Sequence, residues 1–194
     1  MKNKVQFLDL GKHPVTNNFL IKKNPKKEFF YNLKLIFHNT TKLVSLAKFV
    51  PPKKMFNEKY AHRASASQTM SLAYSNLAKS IKNKFKPKSI LEIGSNDGVF
   101  IKHFKKIINL GVEPCKNLAK ITTKIGIKTY DEFWTYKTAK KIVNQIGKID
   151  VIYSANTISH IHNLDETFKA INYALSENGV FILEDPSLVE VLKN

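Results

Sequence analysis

The chain has 194 residues, of which 43% are hydrophobic and 11% aromatic, and its formal net charge at pH 7 is +17. This composition excludes a disordered protein, and the length allows one sizeable domain with a small appendage. Cys115 is the single cysteine, which excludes an intrachain disulfide framework and a cysteine-built zinc site. No apolar run approaches the roughly 20 residues of a membrane span, and the N-terminus lacks the apolar core of a signal peptide. We therefore expect a cytoplasmic protein with no membrane contact.

The positive charge comes almost entirely from lysine. Of the 32 basic residues, Arg63 is the one arginine, and the lysines are spread through every segment. Proteins that read bases favour the planar fork of arginine and gather their basic residues on one element. The charge therefore indicates a solvated basic surface, and we do not expect nucleic acid as the main partner.

Residues 1 to about 60 are predicted to be irregular, because short apolar pieces there alternate with turn signals and with four of the seven prolines. The Pro51-Pro52 pair disfavours regular structure and marks a natural boundary. A helix is predicted to follow, over roughly Ser67 to Phe85. Its apolar residues recur at steps of three and four, which places them on one face: Met70, Ala73, Leu77, Ile81 and Phe85. We predict an N-terminal subdomain over residues 1–62 and a second domain over residues 63–194.

From Lys88 onward, apolar strands alternate with amphipathic helices. The predicted strands are SILEIG, LGVEP, IKTY, IDVIYSAN and GVFILED. The predicted helices are GVFIKHFKKII, NLAKITTKIG, and the stretches from about Thr135 to Ile146 and from Asp165 to Leu175. Strands that are nearly all apolar and alternate with helices predict a parallel sheet that is covered on both faces. The predicted fold class is therefore α/β, with a doubly wound, Rossmann-like sheet.

The loop from Gly94 to Gly98 follows the first of these strands directly. In a doubly wound sheet, ligands bind at the carboxyl ends of the strands, near the point where the strand order reverses. Glycines let the backbone approach a ligand closely. Glu113, which ends the next strand, lies 21 residues after Glu92, and this offset suits a carboxylate that binds the ribose hydroxyls of a nucleoside. The pattern favours a nucleoside cofactor over an ordinary strand-to-helix turn.

The loop is acidic, and this narrows the class of cofactor. The Gly-x-Gly-x-x-Gly fingerprint of dinucleotide sites is absent, and Asp97 would repel a pyrophosphate. An acidic loop suits a cofactor that carries an amine and a second positive charge. S-adenosylmethionine has both, as an ammonium group and a sulfonium.

Six segments of the chain carry a family resemblance. In chain order they are FLDLGKHPVTNNF, LVSLAKFVPPKKMFNEKY, LEIGSNDG, GVEPCKN, IDVIYSANTISHI and GVFILEDPSL. Together they resemble the S-adenosylmethionine-dependent C-methyltransferases that act on nucleotide-linked deoxyketo sugars, and the resemblance covers nearly all 194 residues. It implies a class I methyltransferase sheet, incomplete at its C-terminal end, with S-adenosylmethionine as the cofactor and a nucleotide-linked sugar as the substrate.

The resemblance also assigns the cofactor site. The residues that match the family's cofactor loop are Glu92, Gly94, Asp97 and Gly98. The residue that matches the ribose ligand, and the one that follows it, are Glu113 and Pro114. The residues that match a segment beside the adenine are Asp131 and Phe133. The residues that match positions beside the methionine portion are Ala155 and Asn156.

Two further residues match positions with active-site roles. Methylation of a carbon requires a base that removes a proton next to a ketone, and donors that stabilise the enolate; each contributes roughly 10²- to 10³-fold in rate. His160 follows the fourth strand on the cofactor side, and Tyr60 lies in the N-terminal segment. The resemblance implies that both are catalytic, whereas His162 is expected to be a surface residue.

The N-terminal part departs from the family at its metal ligands. The family usually holds zinc there with two Cys-x-x-Cys pairs. The first pair has no counterpart because the chain starts too late, and His38 and Thr41 stand where the second pair would be. Since at most one of four soft ligands remains, we expect no metal site. The second aromatic of the family's Tyr-x-Tyr is His62 here.

The family's general base also lies outside the sequence. It belongs to a Tyr-x-Glu-His cluster that comes shortly after the PxL segment, whereas this sequence ends at Asn194. We therefore expect the front half of an enzyme, as a fragment, a split gene product or a remnant. A downstream polypeptide would complete it.

Two functional hypotheses remain open at this point. The first is a sugar C-methyltransferase that needs residues beyond the chain. The second is a non-catalytic S-adenosylmethionine-binding or interaction module. A nucleic-acid methyltransferase rests on charge alone, because the sequence from Asn156 to Ser159 lacks the Asn-Pro-Pro-Tyr or Asp-Pro-Pro-Tyr motif of amino-methylating enzymes.

Overall fold

The computed structural model describes residues 3–17, 19–20 and 28–193. The chain divides into two compact units, Met1–His62 and Arg63–Asn194. No helix in the described part is long and apolar enough to cross a membrane.

The first unit contains a three-stranded antiparallel sheet. Its strands are β1 (Lys4–Pro14), β2 (Phe30–His38) and β3 (Val44–Leu46), and β2 pairs with both neighbours. The prediction of an irregular region was therefore wrong. Register shifts between Gln6 and Leu8 and between Asp9 and Lys12 interrupt the alternation of side chains, which is the pattern that identifies a strand in a sequence.

A short helix, α1 (Pro52–Met55), follows the sheet in this unit. The Pro51-Pro52 pair was expected to prevent regular structure here. Pro52 instead occupies the first helical position, where its missing N–H costs nothing because the first N–H groups of a helix have no intrahelical partner.

The second unit is built on a five-stranded parallel sheet in the order β6-β5-β4-β7-β8. The strands are β4 (Ser89–Ile93), β5 (Ile108–Val112), β6 (Lys128–Tyr130), β7 (Ile149–Ala155) and β8 (Leu175–Glu184). From β4 the chain moves outward to β5 and β6, and then returns to the other side of β4. The strand order thus reverses at β4, which places the switch point of the sheet beside its carboxyl end.

Helices cover both faces of this sheet. They are α2 (Gln68–Phe85), α3 (Lys116–Lys124), α4 (Tyr136–Ile146) and α5 (Leu164–Ala174). A short helix, α6 (Leu188–Lys193), follows β8. The side chains of Ser67, Thr135 and Asn163 cap α2, α4 and α5 by accepting hydrogen bonds from N–H groups of the first turn. One apolar cluster joins α4 and α5 to the sheet, and a second joins α2 to it. The predicted α/β class is confirmed.

Two local predictions on the α2 side were wrong. The segment after the glycine loop forms only a short 3-10 turn, Ile101–Phe104, in place of an α-helix. Its apolar side chains Phe100, Ile101 and Phe104 are all buried, so the apolar spacing that predicted a helix reflects burial in the core. In α2 the buried residues are Tyr74, Ala78 and Ile81, whereas Ala73 and Phe85 are exposed. The buried stripe is therefore displaced from the predicted one, because Tyr74 belongs to the core.

Candidate functional site

The loop from Gly94 to Gly98 has a backbone that glycine makes possible. Gly94 and Gly98 have φ angles of +74° and +81°, a region that other residues rarely adopt. A Cβ atom at Gly94 would lie 2.2 Å from Oγ1 of Thr157, which follows β7. The N–H groups of Gly94 and Ser95 both donate to the carbonyl of Val112 in β5. The loop is therefore held between the carboxyl ends of β5 and β7.

Three carboxylates are buried around this loop. Glu92, Asp97 and Glu113 expose only 4%, 6% and 5% of their surface. No ion pair among the described residues involves any of the three. In a chain with 32 basic residues, the site has nevertheless gathered three acidic side chains in a poorly solvated place. Such an arrangement suits a ligand that brings positive charge.

Glu113 fixes the conformation of the loop. Its Oε2 accepts a hydrogen bond of 2.9 Å from the N–H of Asn96, and its Oε1 accepts one of 2.8 Å from the N–H of Cys115. Burial raises the pKa of Glu113, and these two donors act against that increase. A carboxylate offers about four lone-pair sites, so Glu113 retains acceptor capacity for a donor such as a ribose hydroxyl beside the bonds from Asn96 and Cys115.

Asp97 and Asn96 attach the loop to the 3-10 turn Ala64–Ala66, which precedes α2. The carboxylate of Asp97 accepts hydrogen bonds from the N–H of Ser65 and, at 2.5 Å, from its hydroxyl. Oδ1 of Asn96 accepts from the N–H groups of Ala64 and Asp97. The sequence analysis missed Ser65 and Ala64. They lie 32 residues before their partners, in a run of small residues that carries no recognisable motif.

Glu92 is the least satisfied of the three acids. Its Oε2 atom is buried and has no hydrogen-bond partner in the described part of the chain. Burial is the main cause that raises its pKa well above the ordinary value; the nearby charges of Glu113 and Asp97 add to the increase, and a hydrogen bond from the backbone of Ile101 opposes it. A buried acceptor without a donor fits a ligand that supplies an N–H group and a positive charge.

A group of aromatic residues lies on the α2 face beside Glu92. The ring of Phe100 lies 4.2 Å from that of Tyr153 and 6.0 Å from that of Tyr74. The hydroxyl of Tyr153 donates a 3.0 Å hydrogen bond to Oε2 of Glu184, the last residue of β8. Burial, followed by the charge of Glu184 and this hydrogen bond, raises the pKa of Tyr153. Neither Tyr153 nor Glu184 was singled out from the sequence, because a tyrosine in an apolar strand reads as core.

The segment after β7 is tied to the end of β8. Asn156, with a φ of +50°, donates its N–H to the carbonyl of Glu184 at 2.7 Å. A 3-10 turn follows over Ile158–His160. Within it, the hydroxyl of Ser159 donates to Oδ1 of Asp185 at 2.9 Å. His160 is exposed at the end of this turn, three residues after Thr157. Thr157 is the residue that lies against Gly94 of the loop.

The other predicted cofactor residues follow neighbouring strands. Asp131 is exposed and Phe133 is half-buried after β6, and Pro114 is half-buried after β5. The carbonyl of Phe133 accepts a hydrogen bond from the hydroxyl of Thr138. Ala155 is half-buried at the end of β7. All ten predicted cofactor residues therefore lie at or directly after the carboxyl ends of β4 to β7, at one edge of the sheet.

Tyr60 belongs to the first unit, whereas His160 belongs to the second. The Tyr60 ring lies 5.6 Å from that of Phe56 and 6.4 Å from that of His62. In the same unit, Nε2 of His38 is hydrogen-bonded to the Ser45 hydroxyl at 2.8 Å. Residues 3–17, 19–20 and 28–193 contain no group of three metal-binding side chains.

Comparisons with known protein families match the N-terminal and the C-terminal parts of the chain separately. Residues 60–192 match the family described as "Methyltransferase domain", and residues 1–56 match the family described as "Putative zinc binding domain". The first match covers more than half of the chain, so the chain belongs to this methyltransferase family. Its one cysteine, Cys115, lies outside the second match.

A curated relative and two solved structures are similar to the chain. The C-methyltransferase NovU of Streptomyces niveus is 30% identical over 107 residues, which are 54% of this chain and 26% of that protein. A methyltransferase from Archaeoglobus fulgidus that depends on S-adenosylmethionine gives a TM-score of 0.52 at 17% identity, over 62% of this chain and 56% of its own. The plantazolicin methyltransferase BpumL, solved with S-adenosylhomocysteine, gives a TM-score of 0.51 at 17% identity, over 63% of this chain and 49% of its own.

The chain thus spans about a quarter of that curated relative and about half of each of these structures. Its fold is that of the S-adenosylmethionine-dependent methyltransferases. The predicted cofactor is confirmed at the level of family and fold, and the buried acids around the glycine loop suit its ammonium group and sulfonium. The residues that hold it stay a prediction.

Proposed function

We propose that the chain is a C-methyltransferase of a nucleotide-linked deoxyketo sugar. The observation that carries this proposal is the set of three buried acids at the switch point, with Oε2 of Glu92 left without a donor in the part of the chain that the structure describes. C-methylation is supported by the similarity to NovU. The sugar substrate is supported by the motif series from LEIGSNDG to GVFILEDPSL, which resembles enzymes that act on such sugars.

Each part of S-adenosylmethionine has a proposed partner at this edge. Glu92 accepts a hydrogen bond from the ammonium group, because its buried Oε2 has no donor among residues 3–17, 19–20 and 28–193. Glu113 accepts from the ribose hydroxyls through the lone pairs that Asn96 and Cys115 leave open. Gly94 and Gly98 let the cofactor approach the loop.

The other residues of the proposed site are assigned mainly by the family resemblance and by their positions at the strand ends. Asp97 adds negative charge beside the ammonium group. The residues proposed to flank the adenine and the methionine portion are Pro114, Asp131, Phe133, Ala155 and Asn156. The proposed catalytic residues are His160 in the second unit and Tyr60 in the first.

The cofactor supplies the methyl group, and the protein must supply a base and donors for the enolate. His160 lies on the turn after β7, beside the strand ends that hold the cofactor loop. We propose that it donates a hydrogen bond to the developing enolate oxygen, a role that can contribute about 10²- to 10³-fold in rate. The family resemblance assigns the base to a Tyr-x-Glu-His cluster in a further polypeptide segment.

The test is calorimetric titration with S-adenosylhomocysteine, using wild type and Glu113→Gln. Gln keeps one of the two acceptors for the loop N–H groups, so thermal unfolding of the variant is measured beside the titration to separate a lost ribose contact from a disturbed loop. We expect micromolar binding by wild type and at least a tenfold loss in the variant, which is about 1.4 kcal/mol. Glu177→Gln, at the opposite end of β8, serves as the control and is expected to bind like wild type.

Three results would contradict the proposal. A well-folded wild type that does not bind S-adenosylhomocysteine removes the cofactor site. Unchanged affinity in Glu113→Gln removes the ribose assignment and leaves Glu113 as a residue that only fixes the loop. Binding without methyl transfer to any nucleotide-linked keto sugar, even with a further segment added, favours the non-catalytic module.

A further inference from the structure

Arg63 is the one arginine among the 32 basic residues of the chain, and it is the first residue of the second unit. It is exposed, and no ion pair in the described part of the chain includes it. A guanidinium stays charged at any pH near neutrality, and its N–H donors form a planar fork that matches the two oxygens of a carboxylate. Arg63 is therefore available to bind an anion.

The two residues that follow Arg63 are fastened to the cofactor loop. The N–H of Ala64 donates to Oδ1 of Asn96 at 3.0 Å. The N–H of Ser65 donates to the carboxylate of Asp97 at 3.3 Å, and its hydroxyl donates to Oδ2 of Asp97 at 2.5 Å. The backbone of Arg63 is thus held one residue away from a direct contact with the loop, on the side where Asp97 lies.

The amino-acid end of S-adenosylmethionine needs a partner that the loop acids do not supply. This end carries a carboxylate beside its ammonium group. The three buried acids Glu92, Asp97 and Glu113 suit the ammonium group, but an ionised carboxyl group only accepts hydrogen bonds and repels a second carboxylate. A cation from another segment at this edge would bind the carboxylate and offset that repulsion.

The lysines nearest to this edge are less well placed than Arg63. Lys79 is the next basic residue along the chain, but it lies in the second half of α2, about 16 Å along the axis from the start of the helix. Lys116 and Lys137 follow β5 and β6. They are therefore on the side of the loop where Glu113, the proposed ribose ligand, lies.

We infer that Arg63 binds the carboxylate of the methionine portion of S-adenosylmethionine, through paired hydrogen bonds from its guanidinium. The inference rests on the proposed function and deepens it, because it adds a ligand for the one charged group of the cofactor that has no assigned partner. With Arg63 and the loop acids together, the site recognises the amino-acid end as a zwitterion. It therefore discriminates against adenosine thioethers that lack the carboxylate.

The test compares two ligands that differ only in this carboxylate. They are S-adenosylhomocysteine and decarboxylated S-adenosylhomocysteine, in which a hydrogen atom replaces the carboxylate and the amine remains. By calorimetry we expect wild type to bind S-adenosylhomocysteine about tenfold more tightly, the scale of one charged hydrogen bond. In Arg63→Gln we expect S-adenosylhomocysteine to bind about tenfold more weakly than in wild type. The decarboxylated ligand should bind as in wild type, so that the preference disappears.

Three further variants separate the carboxylate contact from a general effect of charge. Lys79→Gln removes one positive charge from the far half of α2 and should leave both affinities unchanged. Lys116→Gln removes the rival cation and should keep the preference. Arg63→Lys keeps the charge without the planar fork, and we expect it to retain only part of the preference. Because all three positions are exposed, the melting temperatures should stay at the wild-type value.

The outcomes separate this inference from the proposed function. Arg63→Gln that keeps the preference, or that weakens both ligands equally, overturns the role of Arg63 and leaves the cofactor site standing. A preference lost in Lys116→Gln and kept in Arg63→Gln also overturns it and assigns the carboxylate to Lys116. Wild type that binds both ligands equally well excludes a carboxylate contact and overturns the inference. Wild type that binds neither ligand overturns the proposed function itself.

Discussion

The two units of the chain differ sharply in how much apolar surface they bury. In the described part of Met1–His62, the buried hydrophobic residues are Val15 and Val50. In Arg63–Asn194, two clusters fill both faces of the sheet, and many of their side chains are fully buried. Large apolar side chains such as Phe7 and Phe19 remain exposed in the first unit.

The difference shows that strand pairing and core formation are separate sources of order. The first unit has long paired strands, but a sheet of this size has little core to stabilise it. Small domains usually add a metal, a disulfide or a partner surface. The second unit needs none of these, because its sheet is covered on both faces.

The largest expected effect is the loss of a core side chain in the second unit. Phe100 is fully buried between the rings of Tyr74, Phe104 and Tyr153. We expect Phe100→Ala to lower the free energy of unfolding by about 3–5 kcal/mol, through lost burial and the cavity left behind. Urea unfolding followed by circular dichroism measures this. A loss below 1 kcal/mol would show that the second unit is not the stable one.

Gly94→Ala is expected to come next. The new Cβ would lie 2.2 Å from Oγ1 of Thr157, in a backbone conformation that already disfavours alanine. We expect a loss of roughly 2–3 kcal/mol in unfolding free energy, with reduced S-adenosylhomocysteine affinity. Gly126→Ala is the matched control, because Gly126 has a φ of +85° and no atom within 4 Å of the added Cβ. Equal losses in the two variants would show that strain alone matters, without the contact to Thr157.

Glu92→Gln should stabilise the second unit and impair its site. The folded protein keeps the Glu92 proton at pH values where the unfolded chain, with an ordinary pKa of 4.5, has released it. Wild-type stability therefore falls as the pH rises above 4.5, and the variant lacks this loss. We expect the variant to gain about 1 kcal/mol at pH 7 and nothing below pH 4.5, while its affinity for S-adenosylhomocysteine decreases. Thermal unfolding across pH, paired with calorimetry, is the measurement, and a variant that is less stable at pH 7 would contradict it.

Phe7→Ser probes the exposed surface of the first unit. Phe7 keeps 53% of its surface exposed in β1. We expect a change within about 0.5 kcal/mol in unfolding free energy, as for other exposed positions. A loss comparable to that of Phe100→Ala would show that another surface covers Phe7 in solution.

Metal removal is expected to have the smallest effect. Nε2 of His38 is hydrogen-bonded to Ser45, and the one cysteine of the chain lies in the second unit. We expect dialysis against a chelator to leave the circular dichroism spectrum unchanged and elemental analysis to find no stoichiometric zinc. Unfolding of the first unit after chelation would refute this expectation.

The parts of the fold that the sequence predicted are those with local patterns. Ser89–Ile93 and Ile149–Ala155 are short apolar runs with flanking turns, and α4 and α5 begin at capping residues. The segment from Phe100 to Phe104 was wrongly predicted as an α-helix because its apolar spacing resembles one, although its apolar side chains pack into the core from a short 3-10 turn. The first unit's strands escaped prediction because irregular pairing breaks their alternation.

The residues of the candidate site also fall into those that the sequence identified and those that it did not. Glu92, Gly94 and Glu113 could be identified, since strand ends and a fixed offset make them visible in the sequence. Ser65 and Glu184 could not, because each reaches the site through a contact over a long stretch of chain, 32 residues for Ser65–Asp97 and 31 for Tyr153–Glu184. Only the folded sheet brings such residues together.

The loop between Gly94 and Gly98 is hydrogen-bonded to three separate segments. These are the turn before α2 through Ser65, the residue after β5 through Glu113, and α3 through the Thr122 hydroxyl. Its amide protons should therefore exchange slowly with solvent even without a ligand. Because the loop is already rigid, binding a ligand costs little conformational entropy of the loop. Association should then be fast and limited by encounter, and differences in affinity among related ligands should arise in their dissociation rates.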